Sequence, residues 1–178
     1  MRPAERPHRG SIELEQARSR LDLLAKTDPL TDLLNRHAFA HVMASPPGQS
    51  DKVAGAVAVA DLNGLKAIND TWGHDAGDRA IRAFAGALRE RLRADDLVFR
   101  WGGDEFLVVA FGLAAPELDA RLASVGKVRW SSAEGQDAPT VSASFGVTTF
   151  SSLAELRAAA SAADARMYES RRAARGEG

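Results

Sequence analysis

This sequence lacks cysteine, long apolar runs and an excess of charge of one sign, and each absence excludes a class of protein or of site. The chain has no cysteine, which excludes disulfides, thiolate metal sites and cysteine nucleophiles. No apolar run approaches the ~20 residues that span a bilayer, and the N-terminus lacks the apolar stretch of a signal peptide. We therefore expect a cytoplasmic protein with no membrane partner.

An excess of charge of one sign is also missing. The 23 basic residues nearly balance the 24 acidic ones, for a net charge of −1, so no overall field attracts a polyanion. The arginine-rich C-terminus is the only basic cluster, and the chain lacks the basic and aromatic platform that binds single strands. We expect no nucleic-acid partner, and salt-sensitive binding of oligonucleotides would be needed to reverse that expectation.

The composition that remains is typical of a folded domain. Hydrophobic residues make up 45% and charged residues 26% of 178 residues, which is enough for one substantial core. The pattern predicts a flexible lead-in over residues 1–10, a linker helix over 11–26, the main domain over 27–175, and a tail over 176–178.

The predicted linker helix has an apolar seam. Leu14, Ala17, Leu21 and Leu24 recur at the alternating spacing of three and four residues that a coiled coil uses. The seam could pair with a second copy of the chain or pack on its own domain, and two heptads do not decide between these alternatives.

Apolar periodicity predicts an alternation of strands and helices in the main domain. Strands are predicted over 53–60, 97–101, 106–111 and 140–149, and the first of these is apolar throughout, as in a strand buried on both faces. Helices are predicted after an N-cap at Asn35 and over 76–93, 116–125 and 153–174. Residues 63–78 and 126–139 are predicted to be loops. This order indicates an α/β sandwich with helices over a largely antiparallel sheet.

The stretch RWGGDEFLVV, residues 100–109, joins two of the predicted strands through a Gly-Gly-Asp-Glu turn. Taken alone it is a hairpin turn in which glycine supplies positive φ. However, Asp61 and Asp104 both lie at strand ends. If those strands are neighbours, the two carboxylates could share a hard cation such as Mg²⁺, which would suit phosphoryl chemistry.

Polar residues elsewhere could complete a nucleotide site. Lys66 offers a point charge for a phosphate, while Asn69 and Asp78 can hydrogen-bond a base edge, although each alone is typical of a solvated loop or a helix cap. Arg171 and Arg175 share one face of the last helix. They could hold a triphosphate or simply form a solvated helix end.

These motifs together resemble those of the GGDEF family, the diguanylate cyclases, which condense two GTP molecules into cyclic di-GMP and release pyrophosphate. The resemblance runs from Asp28 to Arg175. It depends on five ordered segments: DPLTDLLNRHAF, DLNGLKAINDTWGHDAGD, RADD followed by GGDEF, SFGV, and ADARMYESRRAAR. It implies an α+β sandwich similar to the palm of nucleotide cyclases and polymerases, ferredoxin-like, with a mostly antiparallel five-stranded sheet.

The resemblance also implies roles for individual residues. Asp61 and Asp104, with the backbone carbonyl of Leu62, would hold Mg²⁺ or Mn²⁺, and Glu105 would activate a 3′-hydroxyl or bind metal. Gly102 and Gly103 would let the backbone approach the α-phosphate. The base would be read by Asn69 and Asp78, and the outer phosphates would be neutralised by Lys66, Arg171 and Arg175.

A homodimer is implied as well, because each domain holds one GTP and the product contains two nucleotides. Arg93 and Asp96 form an RxxD tetrad where the family has an inhibitory product site. By the same resemblance, Asp78 implies a preference for GTP over ATP. The departures are Asn63, Leu65, His37 and Arg171, of which Arg171 replaces a usual lysine. The alternative is a silent module that binds GTP or cyclic di-GMP and signals through a partner.

Overall fold

The computed structural model describes residues 25–44, 53–130 and 140–174. Several predictions therefore lie outside the described residues. They concern the lead-in over 1–10, the seam from Leu14 to Leu24, the loop over 45–51, Arg175 and the tail over 176–178.

Six strands and five α-helices follow one another along the described chain. They are β1 (Leu34–Asn35), α1 (Arg36–Met43), β2 (Gly55–Asn63), α2 (Leu65–Trp72), α3 (His74–Arg91), β3 (Leu97–Arg100), β4 (Glu105–Phe111), α4 (Ala115–Ala123), β5 (Lys127–Arg129), β6 (Thr140–Phe150) and α5 (Leu156–Ala174). A short 3-10 helix, Leu153–Glu155, precedes α5. None of the helices in this part of the chain is long and apolar enough to cross a membrane.

The strands form one sheet in the order β1-β3-β4-β2-β6-β5. Only the β1–β3 pair is parallel, and the other four pairs are antiparallel, so the predicted fold class is confirmed. The predicted count of five strands is wrong. The short edge strands β1 and β5, of 2 and 3 residues, are too brief to show a period-2 pattern, and β5 lies where a loop was predicted.

Helices cover both faces of the sheet, and the alternation of side chains along β2 separates the two layers. Ala56, Ala58 and Ala60 join the core beneath α3 and α4, whereas Val57 contributes to the core beneath α1 and α5. All four side chains are buried. The prediction that this strand is buried on both faces is therefore confirmed.

The helix predictions hold where the apolar stripe is long. In α3, Ile81, Phe84 and Leu88 are buried as expected, and α1 begins at Asn35, whose Oδ1 accepts a hydrogen bond from the Ala38 N–H at 3.1 Å.

The predicted loop over 63–78 is wrong, because its first half forms α2. This helix has two turns with a single buried residue, Ile68, which is too little for a periodic signal. Gly64 and Gly73 bound it with φ of 74° and 81°, a left-handed conformation that favours glycine. These two glycines set the path of the chain from β2 into α3.

Candidate active site

Asp61 lies on an inner strand of the sheet, at the end of the strands where the site residues meet. It is part of β2, where its register partners are Glu105 in β4 and Ser144 in β6. The strand continues for two residues beyond Asp61, so the prediction that the strand ends there is wrong. Its side chain lies on the α5 side of the sheet and only 7% of the residue is exposed.

The Gly-Gly-Asp-Glu turn is fastened to this edge through backbone hydrogen bonds. The Leu62 N–H donates to the Asp104 carbonyl at 3.0 Å, and the Trp101 N–H donates to the Glu105 carbonyl at 2.8 Å. The three acids Asp61, Asp104 and Glu105 are thereby brought to one end of two paired strands. The predicted proximity of Asp61 and Asp104 follows from the pairing of β2 with β4.

Neither glycine of the turn has positive φ, and only Gly102 is closely packed. In the described ranges positive φ occurs at other glycines, Gly64, Gly73 and Gly112, so the expectation that this hairpin needs positive φ is wrong. A Cβ at Gly102 would lie 3.0 Å from Glu105 Oε2, while a Cβ at Gly103 would meet nothing within 4 Å. Gly102 therefore makes room for the Glu105 carboxylate, and Gly103 leaves the outer surface of the turn open.

The acids create a strongly negative site. Burial raises the pKa of Glu105, and the charges of Asp104, Asp61 and Asp164 raise it further, against an opposing effect of Arg36. A carboxylate whose pKa is raised by neighbouring carboxylates gains from a nearby cation. This end of the sheet therefore favours a bound cation.

Arg171 supplies a positive charge to the same place. Its Nη1 lies 2.6 Å from Asp61 Oδ1, and 26% of the arginine side chain is exposed. Arg171 Nε is buried without an acceptor among the described residues, so the guanidinium has a donor left for an incoming oxygen. Of the predicted phosphate-binding pair, Arg175 lies outside the described ranges.

An anchor behind the hairpin was not foreseen from the sequence. Arg100 Nη1 lies 3.1 Å from both carboxylate oxygens of Asp28, and its Nη2 donates to the Gly103 carbonyl at 2.9 Å. Asp28 in turn accepts hydrogen bonds from the backbone and side chain of Thr31. Arg100 thus links the start of the domain, at Asp28, to the hairpin turn. The two residues are 72 positions apart in the sequence, and no local sequence pattern indicates that they pair.

The residues predicted to bind the nucleotide lie on α2 and α3. Lys66 and Asn69 are on α2 and Asp78 is on α3; Lys66 is exposed, and the other two are half-buried. The helices pack together, and Asn69 Oδ1 is buried with no hydrogen-bond partner in the described chain. The predicted contact of these three residues with a base or a phosphate remains a prediction.

Asn63, one of the departures from the family motif, has a structural partner. Its Nδ2 lies 3.1 Å from Ser144 Oγ, and its Oδ1 lies 3.2 Å from the same atom. The side-chain amide therefore bridges β2 and β6 beside Asp61. The contact gives Asn63 a packing partner, and the expectation that this departure leaves the chemistry intact remains a prediction.

The RxxD tetrad lies at the other end of β3 from the hairpin. The Arg93 N–H donates to Asp96 Oδ2 at 2.8 Å, and the Asp96 N–H donates back to the Arg93 carbonyl at 3.1 Å. This closed turn leaves Arg93 exposed.

A cavity of about 440 Å³ lies on the opposite side of the hairpin from the nucleotide residues. It is lined by residues of α1, β4 and α5, among them Arg36, Trp101, Glu105 and Asp164. Asp61, Asn69 and Asp78 do not line it. Of the predicted site residues that the structure describes, Glu105 alone lines this cavity.

The donor set fits a hard divalent cation. Its groups are oxygen donors, and the mutual repulsion of Glu105, Asp104 and Asp61 is what such an ion would relieve. Within the described residues no group of three or more acidic or imidazole side chains already surrounds one point. Asp61, Asp104 and the Leu62 carbonyl would be the oxygen ligands of such an ion, and Mg²⁺ prefers oxygen ligands.

An α/β sandwich that presents carboxylates and an acidic hairpin at one sheet edge is the framework of a palm-type nucleotide domain. The family model described as "Diguanylate cyclase, GGDEF domain" matches residues 25–177. The chain therefore belongs to the GGDEF domain family.

Relatives and solved structures agree with this assignment. Diguanylate cyclase DgcP of Pseudomonas aeruginosa is 35% identical over 159 residues, covering 85% of this chain and 23% of the relative. DosC of Escherichia coli is 32% identical over 154 residues, covering 83% of this chain and 33% of the relative. The chain thus spans about a quarter to a third of these relatives.

Among solved structures, the coiled coil and GGDEF domain of DgcB from Caulobacter crescentus, in complex with c-di-GMP, superimposes with a TM-score of 0.78 at 26% identity. The alignment covers 92% of this chain and 91% of that one. The diguanylate cyclase SiaD of Pseudomonas aeruginosa, in complex with its activator SiaC, gives 0.71 at 31% identity, covering 93% and 66%.

Proposed function

We propose that this chain is the catalytic domain of a diguanylate cyclase, which condenses two GTP molecules into cyclic di-GMP and releases two pyrophosphates. The observation that carries the proposal is the meeting of Asp61, Asp104 and Glu105 at one end of the β2–β4 pair, beside Arg171. Both glycines and both acids of the hairpin are present, which favours an active enzyme over a silent binding module.

Two carboxylates and one carbonyl hold the cation in this proposal. Asp61 and Asp104 would each supply a carboxylate oxygen, and Leu62, the residue after Asp61, would supply its backbone carbonyl. Mg²⁺ or Mn²⁺ held there would neutralise charge on the attacked α-phosphate and lower the pKa of the 3′-hydroxyl. The raised pKa of Glu105 suits a group that takes a proton or joins the ion.

The remaining residues bind and orient GTP. Asn69 and Asp78 hydrogen-bond the guanine edge, and the carboxylate at position 78 favours GTP over ATP because guanine offers N–H donors there. Lys66, Arg171 and Arg175 neutralise the β- and γ-phosphates, for which the free Nε–H of Arg171 is well suited. The open surface at Gly103 leaves room for the α-phosphate.

Two equivalent steps make the product. In each step the 3′-oxygen of one GTP forms an ester bond to the α-phosphorus of the other, the bond between α-phosphorus and pyrophosphate breaks, and the 3′-proton passes to Glu105 or solvent. Each domain holds one GTP, so two copies of the chain must face each other. We propose a homodimer for this reason, and the seam from Leu14 to Leu24 is its predicted contact.

We also propose that the product inhibits the enzyme through Arg93 and Asp96. The tetrad turn is closed by its own hydrogen bonds, which leaves the guanidinium of Arg93 exposed for a phosphate or a guanine edge.

The test is to incubate the purified chain with GTP and Mg²⁺ and to separate the nucleotides. Asp104→Asn should lower the rate of cyclic di-GMP formation by about 100-fold or more, because a ligand contributes at least as much as an outer partner of a metal site. Asp119→Asn, an exposed acid on α4, is the matched control. Specific activity should rise with protein concentration, since two domains must meet. Absence of product from the unchanged chain at high concentration would refute the proposal.

A further inference from the structure

Asn69 on α2 packs directly against the backbone of Gly77 on α3. A Cβ built at Gly77 would overlap Asn69 Oδ1 and lie 3.0 Å from its Cγ and 3.4 Å from its Nδ2. All three outer atoms of the Asn69 side chain therefore lie against a position of α3 that has no side chain. Any larger residue there would displace the amide or separate the two helices.

The backbone of Gly77 does not by itself require glycine. The glycines of the described ranges with positive φ lie elsewhere, and Gly77 is inside α3, where glycine is less favourable than alanine. Gly86 provides a contrast within the same helix, because a Cβ there would meet nothing within 4 Å. The steric reason for glycine at position 77 is thus the side chain of Asn69.

The amide that Gly77 accommodates has unused hydrogen-bonding capacity. Asn69 Oδ1 is buried and accepts no hydrogen bond from the described residues, and a buried acceptor without a donor is unfavourable. A ligand that presents an N–H group would relieve this cost. Guanine presents such donors on its Watson–Crick edge, whereas the ring nitrogen of adenine at that edge is an acceptor.

We propose that Gly77 is a positioning residue for base recognition: its missing side chain fixes the amide of Asn69 where it selects guanine over adenine. This inference rests on the proposed function, since it assumes that the bound nucleotide is GTP. It extends that function by assigning part of the base specificity to a residue that offers no group of its own to the nucleotide.

The experiment compares Gly77→Ala with the matched control Gly86→Ala in the full chain. Gly77→Ala should raise the KM for GTP about 10-fold or more, with a smaller change in kcat. The reason is that the variant loses contacts to the base, while the acids at the hairpin are unchanged. Its preference for GTP over ATP, measured as the ratio of kcat/KM values, should fall by a similar factor. Gly86→Ala should leave KM, kcat and preference unchanged.

A double-mutant cycle tests the steric link between the two residues. In an Asn69→Ala background the amide is absent, so Gly77→Ala should cause no further rise in KM and no loss of thermal stability. If Gly77→Ala alone does not fold, the double variant should fold, because the overlapping atoms have been removed. Equal KM and equal preference for Gly77→Ala and Gly86→Ala, or additive effects in the cycle, would overturn the proposal.

The two failures can be told apart. If the unchanged chain forms no cyclic di-GMP, the proposed function fails, and the thermal-stability cycle still reports whether Gly77 accommodates Asn69. If the unchanged chain is active but Gly77→Ala binds GTP normally, only the positioning role fails.

Discussion

Asp28 shows how one side chain at the start of the domain stabilises a turn far along the sequence. Burial alone would raise the pKa of its carboxyl, but hydrogen bonds from Thr31 and Arg100, and the charge on Arg100, outweigh burial and lower it. A carboxyl whose pKa is lower in the folded state stabilises the fold at pH values above its ordinary pKa of about 4. That stabilisation is lost as the pH falls through the lowered pKa.

Replacement of Asp28 by asparagine tests this ion pair. Asp28→Asn keeps an acceptor for the turn but removes the charge that faces Arg100, so it should lower the free energy of unfolding at pH 7 by about 1–3 kcal/mol. Urea unfolding at pH 7 and pH 3 is the measurement. The difference between the two proteins should be smaller at pH 3 than at pH 7, because below the ordinary pKa of about 4 the unfolded wild-type chain takes up a proton more readily than the folded chain does. Asp32→Asn, an exposed neighbour, is the control, and a pH-independent difference would contradict the argument.

At the level of elements, the approach of α5 to the sheet decides where Arg171 lies. A Cβ at Gly146 in β6 would overlap the Ala163 carbonyl and the Met167 backbone nitrogen, and would lie 2.9 Å from Met167 Cα. The helix therefore rests on the strand backbone itself. This close contact brings the last turns of α5, and Arg171 with them, against Asp61.

The variant Gly146→Ala should push α5 away from the sheet. We expect a loss of about 1–3 kcal/mol in the free energy of unfolding, typical of overpacking a tight contact, and a loss of activity because Arg171 no longer meets Asp61. Chemical denaturation and GTP turnover measure the two effects. Gly86→Ala, which adds a methyl group in open space, should be neutral or slightly stabilising. Unchanged stability of Gly146→Ala would show that the helix has room to move.

At the level of the whole molecule, the hairpin and the RxxD turn are at opposite ends of one strand. β3 has 4 residues and rises about 3.3 Å per residue, so the two turns are separated by ~13 Å along the strand. Arg93, at the proposed product site, is therefore a strand's length away from the hairpin of the same domain. In our proposal, inhibition would act through the arrangement of two domains.

Arg93→Ala tests the proposed inhibition by the product. It should raise the concentration of cyclic di-GMP needed for half-inhibition by about 10-fold or more, because a charge-assisted contact is removed, while kcat without added product stays the same. Arg91→Ala, at the exposed end of α3, is the matched control. Inhibition that is equally strong in both variants would count against the product site.

Local sequence patterns were sufficient to predict many of the strands and helices of this domain. The apolar run before Asp61, the stripe of α3 and the glycine-acid hairpin predicted the central strands, the main helix and the candidate acids. The helix α2 and the strand β5 were missed because each has too few buried residues for a period to appear. The roles proposed for Lys66, Asn69, Asp78 and Arg175 remain predictions.

By itself, then, the sequence determined which residues carry oxygen donors and charge, and which stretches must be buried, because these depend on side-chain chemistry and on short-range periodicity. Only the tertiary structure decided that Asp61 faces Glu105, that Arg171 reaches Asp61, that Arg100 joins Asp28 to the hairpin, and that Gly77 lies under Asn69. These contacts join residues distant along the chain or on separate helices. They depend on strand register and helix packing, which arise from the whole core and are not visible in any short stretch of the sequence.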